Sequence, residues 1–322
     1  RTLAGERPEA LPEDARVELA MRSVPSEVRR KIAGVVGESD VDAVLRAMLV
    51  ATPCVTLRVQ PARISRDAPI EGLREERAEA RVSPGRVSPL ALRVIGGGDP
   101  TRTKAWREGL FGVQEEGAQA VVALAEIKPG MRVLDACAGR GGKSLAAATW
   151  MEGRGVLHAV DLFPEKLARL TDELARLGLA RELEVETFAA DLTRGVGALA
   201  RKAPPEGYDV AMVDAPCSGL GTLGRRPDLL LRLRDVEAWK TLTELQRAIL
   251  ANVAPQVRNG GTLLYAVCTL TREEGDAVVE DLLREKTKFR FVPHEKEPRV
   301  VLRPDRDETD GFMVFRLRRV AP

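Results

Sequence analysis

The segments Asp214-Ala215-Pro216-Cys217-Ser218-Gly219 and Tyr265-Ala266-Val267-Cys268-Thr269 each set a cysteine just after an apolar run of strand character. In an open α/β sheet ligands sit beyond the carboxyl ends of the strands, so two thiols there can face one substrate, one attacking and the other assisting. A third segment, Val133-Leu134-Asp135-Ala136-Cys137-Ala138-Gly139-Arg140-Gly141-Gly142-Lys143, puts a glycine-rich turn between a strand and a helix. Glycines there let backbone N–H groups approach a ligand, or simply make a tight turn. They stand at 139, 141 and 142, which does not meet the dinucleotide spacing G-x-G-x-x-G. A pyrophosphate cradle is disfavoured, and a nicotinamide-dependent dehydrogenase with it.

Asp161 follows the next strand about 20 residues after the turn, where an acidic residue takes ribose hydroxyls in nucleotide-binding α/β folds. Asp191 and Asp214 end further strand segments. Asp161 or Asp191 taken singly is equally a helix cap. As a series, the carboxylates suit a ligand with hydroxyls, amino groups and a positive centre rather than one with phosphates; S-adenosylmethionine is such a ligand. The null alternative for each cysteine is a small buried hydrophobe.

The elements that must position these groups can be read from periodicity. From about residue 113 the order strand, helix, strand, helix signals a mostly parallel sheet with right-handed crossovers. The expected strands are Met131 to Ala136, Val156 to Val160, Leu183 to Phe188, Tyr208 to Val213 and Thr262 to Val267. Ser144 to Trp150 reads as a helix, Val236 to Val257 as the long helix before the last of those strands, and Pro164 opens an amphipathic helix with Leu167, Leu170, Leu174 and Leu177 on one face and Gly178 as its stop. Gly311 to Leu317 reads as an edge strand paired with Phe289 to Val292. Residues 14 to 50 read as short helices, one opened by Pro25 and one, Val41 to Val50, capped by Asp40. Cys54 to Val59 and Arg86 to Ile95 read as strands and Leu73 to Ala80 as helix, before a break at Gly96-Gly97-Gly98-Asp99-Pro100. Three parts follow: an N-terminal helical segment (1–50), a small α+β unit (51–100) and an α/β domain (101–322).

Composition narrows the function classes. The 322 residues are 44% hydrophobic and 30% charged, a soluble globular profile, with no apolar run near the roughly 20 residues of a membrane helix. No signal-peptide pattern opens the chain, so a cytoplasmic location is expected. Cys54, Cys137, Cys217 and Cys268 form no Cys-x-x-Cys pair and the chain has two histidines, which argues against a zinc ribbon, a disulfide framework and a Ser-His-Asp hydrolase; no metal is expected. Fifty basic residues against 48 acidic ones leave a net charge of +2, so nucleic-acid binding must come from local patches. Arg29-Arg30-Lys31, Arg225-Arg226 and Arg316-Leu317-Arg318-Arg319 are the candidates, and a solvated face is the plainer account of each.

These residues carry a family resemblance. The turn Asp135 to Ser144, the Asp214 to Gly219 segment with Arg225-Arg226-Pro227-Asp228 after it, and Val267-Cys268-Thr269 before Glu273-Glu274 resemble the Sun/Fmu (Nop2/Sun) family of RNA cytosine-5 methyltransferases, bacterial ribosomal RNA type. Gly112-Val113-Gln114-Glu115 with Gln119, Asp310-Gly311-Phe312 and Thr56-Leu57-Arg58-Val59 extend the likeness from Ser23 to the C-terminus. The resemblance implies a Rossmann-like methyltransferase domain with a seven-stranded sheet, preceded by a small α+β RNA-binding domain and N-terminal helices. It implies S-adenosylmethionine bound at Cys137, Ala138, Gly139, Arg140, Gly141, Gly142, Lys143, Asp161, Asp191 and Asp214. Cys268 would be the nucleophile on cytosine carbon 6, Cys217 the thiol of product release, and Asp214 the partner of ring N3 and the exocyclic amine. DNA cytosine methyltransferases attack with the cysteine of their Pro-Cys segment, so the residues alone leave the attacking thiol open; the whole-chain match favours Cys268. Ribosomal RNA is the expected partner, with transfer RNA, or a non-catalytic RNA-binding assembly factor, as alternatives, and a monomer is the expected form. The chain does not begin with methionine, and in the family a further N-terminal RNA-binding domain can precede this region. Gly139-Arg140 replaces the usual Ala-Pro, which sets an arginine beside the cofactor loop, and Gln60 and Arg318 stand where Asn and Lys are common.

Overall fold

The computed structural model describes residues 12–321 apart from 51–53, 62, 64–75, 78, 233–235 and 286–289. The helix expected at Leu73 to Ala80 lies mostly outside the described residues, as does Phe289.

Strands β5 (Arg132–Asp135), β6 (Arg154–Asp161), β7 (Glu182–Ala189), β8 (Tyr208–Asp214) and β9 (Val257–Val267) are mutually parallel, and β12 (Phe312–Val320) pairs antiparallel to β9. The order is β10-β12-β9-β8-β5-β6-β7, seven strands wide, and β11 (Arg299–Leu302) adds an eighth by pairing with β12 beside β10 (Arg290–Pro293). This is the expected Rossmann-like sheet, and its order reverses between β5 and β8, the position at which open α/β sheets take their ligands. The closing strand is not at the edge as its position in the chain suggested. Phe312 to Leu317 is buried on both faces between β9 and β10/β11, as the apolar run Phe312 to Phe315 demands, and Arg316 of the same segment is paired with Glu126.

Two further elements differ from their sequence expectation. The long helix runs Val236–Val253 and gives way to a 3-10 turn at Ala254–Gln256, so that Val257 already belongs to β9. Pro255 at the head of that turn has no N–H to continue the helical ladder. The single helix expected after Pro164 is two, Pro164–Leu167 and Leu170–Arg176, although Leu167, Leu170, Leu174 and Leu177 are all buried. Leucine spacing records which face is covered, not whether the backbone hydrogen bonds are continuous.

A second sheet has the order β2-β3-β1-β4, from β1 (Val55–Val59), β2 (Arg81–Pro84), β3 (Ala91–Ile95) and β4 (Phe111–Val113). Arg81–Pro84 is a strand that the sequence pattern did not reveal, and the strand expected from Arg86 starts at Ala91. β4 lies beyond the break at Gly96 to Pro100 and pairs with β1, so the small unit reaches past residue 100. It is also docked on the larger sheet's first helix: Gln60 Nε2 donates to Thr149 Oγ1 at 3.1 Å, and buried Arg58 donates to Gly142 O at 3.2 Å and to Gln114 Oε1. Burial pulls the Arg58 guanidinium down to about 9.

The N-terminal helices Glu13–Ser23, Ser26–Val36 and Val41–Leu49 share a core with the larger sheet, where Val28, Ile32, Val44, Leu45 and Met48 join the cluster of Val213, Leu220, Tyr265 and Val267. Residues 14 to 50 therefore pack as part of the larger sheet's core. Asp40 does not cap Val41–Leu49; its carboxylate takes Arg303 Nη1 at 2.6 Å and ties the helix to the loop before β12.

Candidate active site

β8 and β9 run side by side in register, with Asp214 opposite Ala266, so the loops that leave their carboxyl ends start as neighbours. The Ala215 N–H still bonds Ala266 O at 3.0 Å, and Gly221 N–H bonds Cys268 O at 3.0 Å. A Cβ on Gly221 would stand 2.0 Å from Gly311 O, so only glycine allows this crossing of three loops. Cys217 Sγ and Cys268 Sγ thereby come to 3.3 Å from each other, both as free thiols.

The thiols are electrostatically unequal. The hydrogen bond from Cys217 holds the Cys268 thiol below its ordinary value, helped by the Lys143 ammonium and opposed by burial, Asp214 and Glu274. The same shared bond, with burial, pushes Cys217 well above its ordinary value. Of the two sulfurs, Cys268 is therefore the first to lose its proton. Lys143 Nζ lies 2.5 Å from Asp214 Oδ2; burial opposes its charge, and Asp214 more than offsets that, so the Lys143 pKa is raised.

The glycine-rich turn lies one strand over. Gly139 and Gly141 have φ of +54° and +82°, the left-handed region that favours glycine, and the space where a Gly139 Cβ would stand is open. Gly139 N–H donates to Asp161 Oδ2 at 2.9 Å, and Asp161 Oδ1 accepts from Phe163 N–H at 2.9 Å. Arg140 is exposed. Ala138 N–H continues the ladder to Val160 O at 2.8 Å, and Gly142 begins the helix Gly142–Trp150. Burial pushes the Cys137 thiol well above its ordinary value, with Asp135, Asp214 and Asp161 adding to the effect. Among the other predicted acids, Asp191 is spent locally on the Thr193 N–H and hydroxyl at 3.0 and 2.6 Å, which hold its pKa low; no hydrogen bond takes it to the turn.

Asp135 is wholly buried, with Oδ2 accepting from Ser144 Oγ at 2.6 Å and Oδ1 without a partner. Burial, partly offset by that bond, raises its carboxyl from the ordinary 3.8 to about 6. The folded chain thus holds this proton more tightly than the unfolded one; the stabilisation is complete below about pH 4 and is lost as pH rises through about 6. Asp135→Asn is expected to remove a fall in stability of about 3 kcal/mol across that window, the free-energy equivalent of about two pKa units. Urea midpoints as a function of pH measure it, and an unchanged slope in the variant would assign the proton elsewhere.

The sequence did not single out several neighbours. Glu274, known from its place after Cys268 only as part of a motif, is fully buried and bonds Ser218 N–H at 2.7 Å. Leu162 and Phe163, directly after Asp161, are 53% and 45% exposed, an apolar surface whose signal was two large hydrophobes in a strand-end loop. Arg58 approached the turn from a different sheet, which no local spacing could announce. The basic clusters are largely spent inside the fold: Arg29 pairs with Asp42, Lys31 with Glu273, Arg225 with Asp310 and Arg226 with Asp228, and Arg316 is buried against Glu126. His158, with Glu184 and Glu186, has possible metal-ligand atoms within 4.8 Å of one another, but its Nδ1 is taken by Tyr208 OH and Glu186 by Lys202. No helix among the described residues is long and apolar enough to cross a membrane.

A groove of about 820 Å³ opens beside the thiol loops, lined in part by Met48, Thr56, Arg93, Gly221, Arg225 and Asp310. Its walls come from the N-terminal helices, the small sheet and the loops of the larger sheet together.

Comparison with known proteins fits this geometry. A family model described as "16S rRNA methyltransferase RsmB/F" matches residues 122–318. The chain is 34% identical over 281 residues to a "Probable ribosomal RNA small subunit methyltransferase B" of Synechocystis and 30% identical over 279 residues to one of Bacillus subtilis, each alignment covering 83% of this chain and 60% of the relative. It thus spans about 60% of the length of these relatives. A solved structure titled as a methyltransferase homolog protein from Pyrococcus horikoshii shares the fold with a TM-score of 0.74 at 23% identity, over 96% of this chain and 99% of that one. By the residues matched, this chain belongs to the RsmB/F family of 16S rRNA methyltransferases.

Proposed function

We propose that the chain methylates carbon 5 of a cytosine in small-subunit ribosomal RNA, with S-adenosylmethionine as methyl donor and Cys268 as nucleophile. The observation that carries this reading is the 3.3 Å approach of Cys217 and Cys268, with Lys143 and Asp214 beside them at the strand ends.

The donor fits the residues present. The buried Asp135 Oδ1 lacks a partner, the space beside Gly139 is open, Asp161 lies against the turn for hydroxyls, and exposed Leu162 and Phe163 offer an apolar face to a purine. When bound, S-adenosylmethionine supplies an electrophilic methyl group on a sulfonium. Asp191, engaged with Thr193, has a lesser claim to contact it.

Carbon 5 of cytosine is a poor nucleophile until a thiolate adds to carbon 6. Cys268 is the sulfur held toward the thiolate, so it forms that bond. Its attack moves electron density to the N3 edge, where Asp214 accepts from the exocyclic amine and the Lys143 ammonium beside it offsets the developing negative charge. After methylation, carbon 5 carries one proton too many. Once Cys268 is bound in the adduct the Cys217 proton passes to water, and the Cys217 thiolate then takes the carbon 5 proton, directly or through a water, which restores the carbon 5–carbon 6 double bond and expels Cys268 as thiolate. The neighbouring groove would receive the RNA around an extruded base.

The test is incubation with labelled S-adenosylmethionine and unmethylated 16S ribosomal RNA or transfer RNA, followed by nucleoside mass spectrometry. 5-Methylcytidine in the ribosomal RNA is the expected product. Label confined to transfer RNA would move the substrate, and label on any other atom would overturn the chemistry.

A further inference from the structure

Glu274 has four hydrogen bonds on its two carboxylate oxygens although it is fully buried. Oε2 accepts from Ser218 N–H at 2.7 Å and from Gln246 Nε2 at 3.0 Å; Oε1 accepts from the hydroxyls of Ser218 at 2.6 Å and Thr271 at 3.1 Å. Ser218 follows Cys217 in the chain. Its Oγ also lies 2.9 Å from the hydroxyl of Thr269, which follows Cys268. Gln246 Nε2 additionally bonds Pro216 O at 2.9 Å, and Tyr265 OH bonds the Glu274 carbonyl at 2.7 Å. The carboxylate therefore holds the residue next to Cys217 directly and the residue next to Cys268 through Ser218 Oγ, while the Glu274 backbone carbonyl is tied to the strand beneath by Tyr265.

All four donors, three side-chain groups and the Ser218 backbone N–H, are neutral. Burying a carboxylate without a cation costs several kcal/mol, and a glutamine would satisfy the same four groups. Its amide oxygen would accept from Ser218 N–H and Gln246, and its NH2 would donate to the two hydroxyls, which can turn to accept. Fixing the loops thus needs the hydrogen bonds, whereas the charge must act on something else. The reactive groups on the loops it ties are the two sulfurs, and Glu274 raises the pKa of both. A thiolate of higher pKa is a better nucleophile once formed.

We propose that Glu274 is a positioning residue for the two thiols: its hydrogen bonds set the distance between Cys217 and Cys268, and its charge tunes the nucleophilicity of Cys268. The inference rests on the proposed function for the role of the thiols in methyl transfer, but not for their spacing.

The experiment compares wild type, Glu274→Gln, Glu274→Ala and Ser218→Ala by two readouts. Alkylation of each cysteine by iodoacetamide as a function of pH, resolved by peptide mass spectrometry, reads the thiols without RNA or cofactor; kcat and KM for ribosomal RNA read turnover. Glu274→Gln is expected to keep the spacing and move the Cys268 titration to lower pH. Glu274→Ala is expected to lose on the order of 10²-fold in kcat with KM for RNA little changed, as for a misplacement of about an ångström, and Ser218→Ala to fall between it and wild type. An unmoved Cys268 titration in Glu274→Gln overturns the charge role. Wild-type kcat in Ser218→Ala and Glu274→Ala, or equal losses in the Gln and Ala variants that track their melting temperatures, overturns the positioning role. If Glu274→Ala does not fold, Glu274→Gln and Ser218→Ala decide. A wild-type chain that transfers no methyl group to RNA would sink the functional proposal, while the alkylation profiles would still judge Glu274.

Discussion

Cys268→Ala yields no methylated RNA and no protein–RNA adduct, whereas Cys217→Ala yields an adduct that survives denaturation: this pair of opposite outcomes is the largest effect the geometry predicts. The sulfurs are 3.3 Å apart, so either could reach a base between them, and proximity does not choose. The choice comes from the shared hydrogen bond. It lowers the Cys268 pKa and raises that of Cys217, leaving one sulfur ready to add to carbon 6 and the other holding its proton. Removing Cys268 removes the only route to the activated ring, a loss of at least about 10³-fold on the scale of covalent nucleophiles. Removing Cys217 takes away the bond that lowers the Cys268 pKa, which slows addition without abolishing it, and leaves the carbon 5 proton in place, so the carbon–sulfur bond cannot break. Denaturing gels with labelled RNA separate the two cases. An adduct that persists in Cys268→Ala and vanishes in Cys217→Ala would exchange the assignments.

Asp214→Ala is expected to lower kcat on the order of 10²- to 10³-fold, the cost of one preorganised group at a developing charge. The variant removes the partner of the cytosine N3 edge and also strands Lys143, a buried ammonium whose ion pair at 2.5 Å offsets its desolvation. An unpaired buried lysine sheds its proton, so the cation that favours the Cys268 thiolate is lost as well. Turnover falls while alkylation of Cys268 does not move to higher pH, because Asp214, which raises its pKa, is lost together with the cation that lowers it. Lys143→Met separates the two losses by removing the cation alone. Single-turnover methylation gives the rate, and a kcat within about threefold of wild type in Asp214→Ala would exclude the aspartate from the chemical step.

The sequence was most informative where function depends on a residue and its immediate neighbours. The parallel sheet followed from the alternation of apolar strands and amphipathic helices, and Asp214 to Gly219, Val267 to Thr269 and Asp135 to Ser144 do lie at strand ends. The glycines of the turn were legible because their left-handed backbone is a local requirement. Asp161 and Asp191 looked alike for the same reason: each is an acid after a strand, and spacing cannot tell that one bonds Gly139 and the other Thr193.

Tertiary structure decided everything that joins distant segments. The distance between two sulfurs 51 positions apart depends on the in-register pairing of β8 and β9, on Gly221 passing Gly311, and on Glu274 reaching back to Ser218. It also decided where the small sheet ends, because β4 is chosen by its pairing with β1 and not by the glycines before it. Residue type and spacing along the chain record local conformation and chemical capacity; which capacities share a cavity, and with what pKa, is set by burial and by partners that only folding brings within a few ångströms.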